Sequence, residues 1–271
     1  MHKTTALNVS WHEIKSLTRD VADHHIHYGQ APAQFGELRL PNGRGPHPVI
    51  IFIHGGCWLN EYGVDHVAPI SRALANEGYA VWTPEYRRVG DTGGGWPGTF
   101  EDISCCFKVL GDLAPEHGLR LDRIIAMGHS AGGHLALWLA VSGNIKAPGN
   151  FYNHHALPLH GAIALAGISD LLAYEKTGND CSLSLPRLLG GSSRAVPERW
   201  AQADPMQLLP FGVPVKLIHG QLDSIVPLAQ SEGMAKAGGG ELIVVKGAGH
   251  FDMVSPHAEA WHVIRRAVKD I

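Results

Sequence analysis

The segment that decides the fold spans residues 123–137 and reads RIIAMGHSAGGHLAL. An apolar run of strand length, residues 124–128, leads directly into the pattern Gly-x-Ser-x-Gly, and an apolar helical pattern follows it. A serine on such a strand-to-helix turn adopts a strained backbone, and side chains two positions before and after it would collide. Gly128 and Gly132 remove that collision. Ser130 is therefore predicted to stand exposed at the end of the strand as a nucleophile.

A second glycine turn follows the strand-like run at residues 49–53 and reads HGGCW at residues 54–58. A carbonyl attacked by serine becomes an oxyanion, which preorganised backbone N–H groups stabilise well. Adjacent glycines allow a loop to turn its N–H groups inward. We therefore predict an oxyanion hole made by this loop and by the N–H group of Ala131. Cys57 is expected to offer its N–H group rather than act as a second nucleophile, and His54 is expected to brace the loop.

The general base and its orienting acid are predicted at the ends of two later strands. A serine hydroxyl needs an adjacent base, and the base needs an acid to hold it. Residues 215–219 precede Asp223, and residues 242–245 precede His250. Because the carboxyl ends of parallel strands share one edge of a sheet, these two side chains are expected to meet Ser130 there.

Three other aspartates are rivals for the role of the acid. Asp170 opens a helix-like segment and Asp204 precedes a proline, so both are predicted to be caps or turn residues. Asp252 follows His250 too closely to orient its ring easily, although it can support the loop. Asp223 is therefore the preferred acid.

The rest of the chain alternates strand-like and helical segments, which predicts an α/β fold with a mostly parallel sheet and helices on both faces. The predicted strands are residues 49–53, 80–83, 124–128, 162–166, 215–219 and 242–245, and the predicted helices are residues 68–77, 99–117, 131–142, 228–237 and 257–269. Residues 26–28 and 36–40 suggest an antiparallel hairpin at one edge. A single domain is predicted over residues 1–271, with a cap-like insertion at about residues 171–210 over the site.

Composition and charge exclude several classes of protein. The 271 residues are 45% hydrophobic and 17% charged, enough to bury a large core. A net charge of -3 without a dense Lys/Arg patch argues against a nucleic-acid surface. The sequence shows no signal-peptide pattern and no apolar run near the roughly 18–20 residues of a membrane span, so a cytoplasmic protein without a membrane partner is predicted. Its four cysteines lack a C-x-x-C pair and are predicted to be free thiols.

The sequence also contains 18 histidines, a surplus that invites a metal hypothesis. The tracts His24-His25-x-His27 and His154-His155 with His160 resemble metal sites only in composition. The zinc pattern H-E-x-x-H is absent. We therefore predict neither a metal nor another cofactor.

With these residues in view, the chain resembles the α/β-hydrolase superfamily over nearly its whole length. The likeness is strongest to the esterase/lipase branch with HGGxW and GHSAGG motifs, which includes carboxylesterases, feruloyl-esterase-like domains and arylformamidases. The resemblance implies a catalytic triad and an oxyanion hole, respectively Ser130, Asp223, His250 and the N–H groups of Gly56, Cys57, Ala131. Cys57 stands where the related hormone-sensitive-lipase motif has a third glycine, which leaves open whether Gly55 or Cys57 is the main partner of Gly56.

These observations predict a cofactor-independent serine hydrolase that cleaves small carboxylic esters through an acyl-enzyme. The candidate pocket residues are Trp58, Tyr62, Trp96, His129 and apolar residues of the segment 171–189. An arylformamidase acting on N-formylkynurenine is the main alternative, since the same machinery serves both reactions. A peptidase and a ligand-binding pseudo-hydrolase are less favoured. The expected partner is a small ester or formamide, and a homodimer is one assembly that the sequence leaves open.

Overall fold

The computed structural model describes residues 8–17, 20–146 and 157–271, and one eight-stranded sheet lies at its centre. The strands are β1 (His24–His27), β2 (Phe35–Arg39), β3 (His47–Ile53), β4 (Ala80–Pro84), β5 (Leu119–His129), β6 (Gly161–Leu165), β7 (Val215–Gly220) and β8 (Glu241–Val245). Their order is β1-β2-β4-β3-β5-β6-β7-β8. The pairs β1–β2 and β2–β4 are antiparallel, and the other five pairs are parallel. The predicted parallel sheet and edge hairpin are both present.

Helices connect most of the parallel strands. They are α1 (Trp11–Ser16), α2 (Ala68–Asn76), α3 (Gly98–Lys108), α4 (Leu110–His117), α5 (Ala131–Val141), α6 (Leu171–Glu175), α7 (Leu185–Leu189), α8 (Pro197–Ala203), α9 (Ala229–Lys236) and α10 (Glu259–Lys269), with 3₁₀ turns at Val64–Val67, Ser142–Asn144, Ser182–Ser184 and Phe251–Val254. The single helix predicted at residues 99–117 is divided at Val109, which keeps a helical backbone. Within the three described stretches, no helix has the length and apolar character needed to cross a membrane.

The two faces of the sheet bury two separate apolar clusters. Along β3, residues 49, 51 and 53 belong to one cluster together with residues of α3 and α5, whereas residues 50 and 52 belong to the other with residues of α2 and α10. Successive side chains of a strand point to opposite faces, so a strand that is apolar throughout requires helices on both sides. Each fully buried aliphatic or aromatic side chain contributes roughly 1.5–3 kcal/mol to the free energy of folding.

The segment predicted as an insertion lies between β6 and β7 and carries α6, α7 and α8. Leu171, Leu185, Leu188 and Trp200 of this segment are buried and join the same apolar cluster as α5. Its helices are therefore packed into the body of the protein. That the segment forms a cap over the site stays a prediction.

Because β3, β5, β7 and β8 are parallel, the loops that follow them emerge at one edge of the sheet. The loop after β3 contains the two glycines of the HGGCW sequence, and β5 ends directly before Ser130. The loops after β7 and β8 contain Asp223 and His250. The fold thus collects four distant pieces of sequence at the edge where open α/β sheets bind ligands.

Candidate active site

Ser130 joins β5 to α5 with a backbone that few non-glycine residues adopt. Its φ and ψ angles are 56° and -122°, a conformation that costs on the order of 1–3 kcal/mol and is typical of functional turns. A Cβ atom added at Gly128 would lie 2.1 Å from the carbonyl oxygen of Gly132. A Cβ atom added at Gly132 would lie 2.1 Å from the carbonyl oxygen of Ile53, at the end of β3. Both glycines of the motif are therefore required by backbone contacts.

The side chains of His250 and Asp223 form a buried hydrogen-bonded pair. Nδ1 of His250 lies 2.7 Å from Oδ2 of Asp223, and Oδ1 of Asp223 accepts the N–H groups of Ile225 and Val226, each at 2.8 Å. Burial alone would raise the pKa of Asp223, but hydrogen bonds from His219 and His250 outweigh it and hold that pKa well below its usual value. The carboxylate fixes the proton of a neutral His250 on Nδ1, which leaves Nε2 as a base.

His219, near the end of β7, is a further partner of Asp223 that the sequence analysis did not identify. Its Nε2 lies 3.4 Å from the same Oδ2 that His250 contacts and donates to the carbonyl oxygen of Val226 over 2.9 Å. The hydroxyl group of Ser231 lies 2.8 Å from its Nδ1. The only sequence signal was its position four residues before Asp223. His219 is therefore a second histidine that stabilises the Asp223 carboxylate.

His129, directly before the serine, contacts both the ring and the backbone of His250. The two imidazole rings lie 4.5 Å apart between centroids, and Nε2–H of His129 donates to the carbonyl oxygen of His250 over 3.1 Å. Burial first, and then the neighbouring His250, lower the pKa of His129 well below its ordinary value. His129 is therefore a neutral imidazole at physiological pH.

The loop after β3 presents backbone N–H groups beside the serine. Gly56, Cys57 and Trp58 have φ angles of 110°, 53° and 58°, so three successive residues lie in the left-handed region. Within the described residues, the N–H groups of Gly56, Cys57 and Ala131 donate to no other protein group. These unused donors fit the expectation of a site that receives negative charge.

A network of buried hydrogen bonds holds this loop in place. Nε2 of His54 lies 2.7 Å from Oε1 of Glu85, and its Nδ1 lies 2.8 Å from the carbonyl oxygen of Gly55. The hydroxyl group of Tyr86 donates to the carbonyl oxygen of His54 over 3.0 Å. Burial alone would raise the pKa of Glu85, but the charge and hydrogen bond of His54 bring it below the ordinary value. Glu85 is therefore a carboxylate that anchors His54 under the glycine turn.

Cys57 and Cys181 form a disulfide, so the prediction that all four cysteines are free is wrong for this pair. Their Cα atoms lie 5.0 Å apart although 124 residues separate them in sequence, which is why no local spacing indicated the bond. Cys105, which is exposed, and Cys106, which is buried, are free. The disulfide ties the HGGCW loop to the segment 171–210. Since disulfides are rare in reducing compartments, the cysteines no longer support the predicted cytoplasmic location.

A cavity of about 270 Å³ opens beside Ser130. Its lining consists mostly of aromatic rings, imidazoles and the loops that follow β3 and β5, namely Trp11, Gly56, Cys57, Tyr62, His66, His129, Ser130, Ile225, His250 and Phe251. Among the described residues, no Asp, Glu, Lys or Arg belongs to this lining. Burial lowers the pKa of His66 to about 3, so this ring is also neutral at physiological pH. Within the described ranges, the cavity therefore presents largely aromatic walls without an acidic, lysine or arginine side chain.

Two of the four expected pocket residues lie elsewhere in the structure. Tyr62 and His129 line the cavity, whereas Trp58 and Trp96 do not. Trp58 is fully buried and donates its indole N–H group to Nδ1 of His134 over 3.2 Å. Trp96 packs against Phe100, with ring centroids 5.3 Å apart. The positive φ of Trp58 turns its side chain into the core rather than toward the serine.

Of the histidine tracts, the described residues His24, His25, His27 and His160 do not line the cavity beside Ser130. His24, His25 and His27 lie on β1, where the rings of the last two stack 5.3 Å apart. His154 and His155 lie outside the described residues. In the part of the chain that the structure describes, no group of three or more His, Cys, Asp or Glu side chains is arranged to hold a metal ion.

The sheet order, the serine turn and the buried Asp–His pair together define an α/β-hydrolase of the esterase/lipase type. More narrowly, the chain belongs to the BD-FAE family, whose model matches residues 37–237.

The chain is also similar to individual proteins, of which one is named as a peptidase and others as esterases. The chain is 26% identical to an uncharacterised peptidase, YtmA, of Bacillus subtilis, over 72% of this chain and 71% of that protein. It is 32% identical to a probable isoprenylcysteine alpha-carbonyl methylesterase of Arabidopsis thaliana, over 46% of this chain and 26% of that protein. The chain spans about half the length of the other curated relatives it matches. The fold is similar to that of esterase B from Lactobacillus rhamnosis, with a TM-score of 0.77, 23% identity and coverage of 93% of this chain and 87% of that one.

Proposed function

We propose that this protein is a carboxylic ester hydrolase that cleaves small, uncharged esters through an acyl-enzyme on Ser130. The observation that carries the proposal is the hydrogen bond of 2.7 Å between His250 and Asp223, placed at the cavity that Ser130 also lines. Relatives named as esterases or carboxylic ester hydrolases support the same class.

The first half of the reaction acylates the serine. As Oγ of Ser130 attacks the ester carbonyl carbon, its proton passes to Nε2 of His250. The ionised Asp223 stabilises the imidazolium that forms. The carbonyl oxygen becomes an oxyanion, and the N–H groups of Gly56, Cys57 and Ala131 are the donors available to it.

The second half releases both products. The bond between the carbonyl carbon and the alcohol oxygen breaks, and His250 returns its proton to the departing alkoxide, so an alcohol leaves. A water molecule then gives a proton to His250 as its oxygen attacks the acyl carbon. The bond to Ser130 breaks, the serine recovers the proton, and a carboxylic acid leaves.

The walls of the cavity favour an ester over the arylformamidase substrate. N-formylkynurenine carries an ammonium group and a carboxylate, and burying an unpaired charge is costly. Among the residues that line the cavity, none supplies a permanent opposite charge, and His66 stays neutral because burial lowers its pKa to about 3. An uncharged ester meets no such penalty.

A substrate panel on three versions of the protein tests the proposal. The panel contains p-nitrophenyl esters of graded acyl length, N-formylkynurenine and a peptide p-nitroanilide. We expect ester turnover to be the fastest and Ser130→Ala to lower kcat by about 10⁴-fold or more, while the exposed serine variant Ser192→Ala retains wild-type activity.

A fluorophosphonate probe provides the second readout, because it labels only an activated serine. Labelling is expected in the wild type and in Ser192→Ala but not in Ser130→Ala. Ester hydrolysis that survives Ser130→Ala would refute the mechanism. A higher kcat/KM for the formamide or the anilide than for every ester would refute the substrate class.

A further inference from the structure

The N-terminal helix places an aromatic side chain at the active-site cavity. Trp11, the first residue of α1, lines the cavity together with Ser130. Its ring lies 5.6 Å from that of Tyr62, 5.3 Å from that of His66 and 5.4 Å from that of Phe251, between centroids. Three rings from two separate chain segments thus hold the indole against the wall of the site.

The backbone before this helix is fastened to the loop that carries the catalytic histidine. The carboxylate of Asp252 accepts the N–H groups of Asn8 at 3.0 Å and Val9 at 2.8 Å. It also accepts the N–H group of Gly249 at 3.0 Å, and its side chain is completely buried. A Cβ atom at Gly249 would lie 2.4 Å from Oδ1 of Asn8, so the close approach depends on this glycine. The position of Trp11 is therefore coupled to the His250 loop.

A second cavity, of about 360 Å³, shares three lining residues with the first. Trp11, Tyr62 and His66 line both cavities. The second one is also lined by residues of α1, by the residue after it and by the segment between β3 and α2, namely Ile14, Lys15, Leu17, Glu61, Gly63 and Asp65. The indole of Trp11 thus borders both the space beside Ser130 and a further, more polar space along the helix.

We propose that Trp11 is a specificity-determining residue that limits the length of the substrate group occupying the cavity beside Ser130. The inference rests on the proposed ester hydrolase activity and adds to it the residue that sets the size of the substrate. A rigid indole at the wall of the cavity blocks a long apolar chain by steric exclusion, whereas a short chain does not reach it. Removing the indole takes away a ring that lines both cavities and makes room beside Ser130 for additional methylene groups.

Two series of esters on Trp11→Ala and Trp11→Phe test the proposal. One series varies the acyl chain from acetate to octanoate with p-nitrophenol as the alcohol, and the other varies the alcohol of acetate esters. We expect Trp11→Ala to raise the ratio of kcat/KM for the longest to the shortest substrate by about 10-fold or more in one series. Trp11→Phe keeps a ring and is expected to shift the ratio less. The series that responds identifies the group that occupies the cavity.

Trp261→Ala is the matched control, since this half-buried tryptophan lies on α10 outside the site. It is expected to leave both ratios unchanged. Fluorophosphonate labelling of Ser130 and the thermal midpoint establish that each variant is folded. If Trp11→Ala does not fold, Trp11→Leu, which keeps an apolar side chain, is judged by the same ratio.

Unchanged ratios in both series, in a folded variant that the probe still labels, would overturn the role of Trp11 and leave the proposed hydrolase intact. Failure of the wild type to hydrolyse any ester would instead overturn the proposed function. The two failures are therefore distinguishable.

Discussion

Nδ1 of His250 and Oδ2 of Asp223 lie 2.7 Å apart, and this contact joins the loops that follow β7 and β8. The carboxylate has no freedom to rotate away, because its second oxygen accepts two backbone N–H groups at 2.8 Å. His219 approaches the first oxygen to 3.4 Å. Both oxygens of the Asp223 carboxylate are thus held by hydrogen-bond partners. The fold itself therefore fixes the tautomer and orientation of His250.

Asp223→Asn is expected to lower kcat for a short p-nitrophenyl ester by about 10⁴-fold, because an amide no longer fixes the proton on Nδ1 or stabilises the imidazolium. The measurement is steady-state kinetics on purified protein. Asp170→Asn is the control: Asp170 caps α6 by accepting the N–H group of Ala173 at 2.8 Å, and asparagine caps equally well. Comparable losses in both variants would argue against Asp223 as the orienting acid.

Gly132→Ala is expected to destabilise the protein by about 2 kcal/mol or more and to abolish most activity. The new methyl group would lie 2.1 Å from the carbonyl oxygen of Ile53, and neither backbone can yield without moving the serine turn. Gly143→Ala is the matched control, since nothing lies within 4 Å of a Cβ atom there. Urea unfolding and ester kinetics on both variants measure the difference. An active Gly132→Ala protein of wild-type stability would show that the turn is adaptable.

The parts of the site that the sequence predicted depend on patterns within short segments of the chain. The turn around Ser130 needs two glycines at fixed spacing, and that requirement is visible without a structure. Asp223 and His250 follow apolar runs that end at a common sheet edge, so their meeting follows from the parallel topology.

The parts that the sequence did not predict depend on contacts between distant segments. Cys57 meets Cys181 across 124 residues, and Trp11 lies at the cavity on a helix whose preceding backbone is bound by Asp252. For Trp58 the sequence predicted a contact with the pocket that the structure does not have. Trp58 follows the glycine turn directly, but its indole N–H group donates to His134 in the core.

Cleavage of the disulfide is expected to lower both stability and activity. The bond spans 124 residues, and a native disulfide of this kind contributes roughly 2–4 kcal/mol to the free energy of unfolding. Since Cys57 lies in the left-handed backbone of the HGGCW loop, which we propose to be the oxyanion hole, loss of the disulfide is also expected to reduce kcat several-fold. Thermal unfolding and ester kinetics, with and without dithiothreitol, measure both effects.

Cys181→Ala separates the disulfide from other thiols. It is expected to reproduce the effect of reduction and to be insensitive to dithiothreitol afterwards. Cys105→Ser alters an exposed free thiol and is expected to behave like the wild type. Full dependence on dithiothreitol in Cys181→Ala would assign the effect to a different group.

His134 on α5 is a buried histidine that the fold accepts only in its neutral form. Its Nε2–H group donates to the carbonyl oxygen of Ala203 over 2.8 Å, and its Nδ1 accepts the indole N–H group of Trp58 over 3.2 Å. A second proton on Nδ1 would remove that acceptor. Burial accordingly lowers the pKa of His134 from 6.5 to about 4.

His134→Gln is expected to weaken the loss of stability in acid. Between pH 6.5 and 4 the unfolded chain binds a proton at His134 that the folded chain does not, so stability from this group is complete above pH 6.5 and falls as the pH drops. The loss is about 2 kcal/mol at pH 5. Glutamine can both donate and accept without titrating. Urea unfolding at pH 7.5 and pH 5.0 measures the free energy of unfolding at both pH values. The decrease between them should be smaller for His134→Gln than for the wild type. Equal decreases would mean that His134 is protonated in the folded protein as readily as in the unfolded chain.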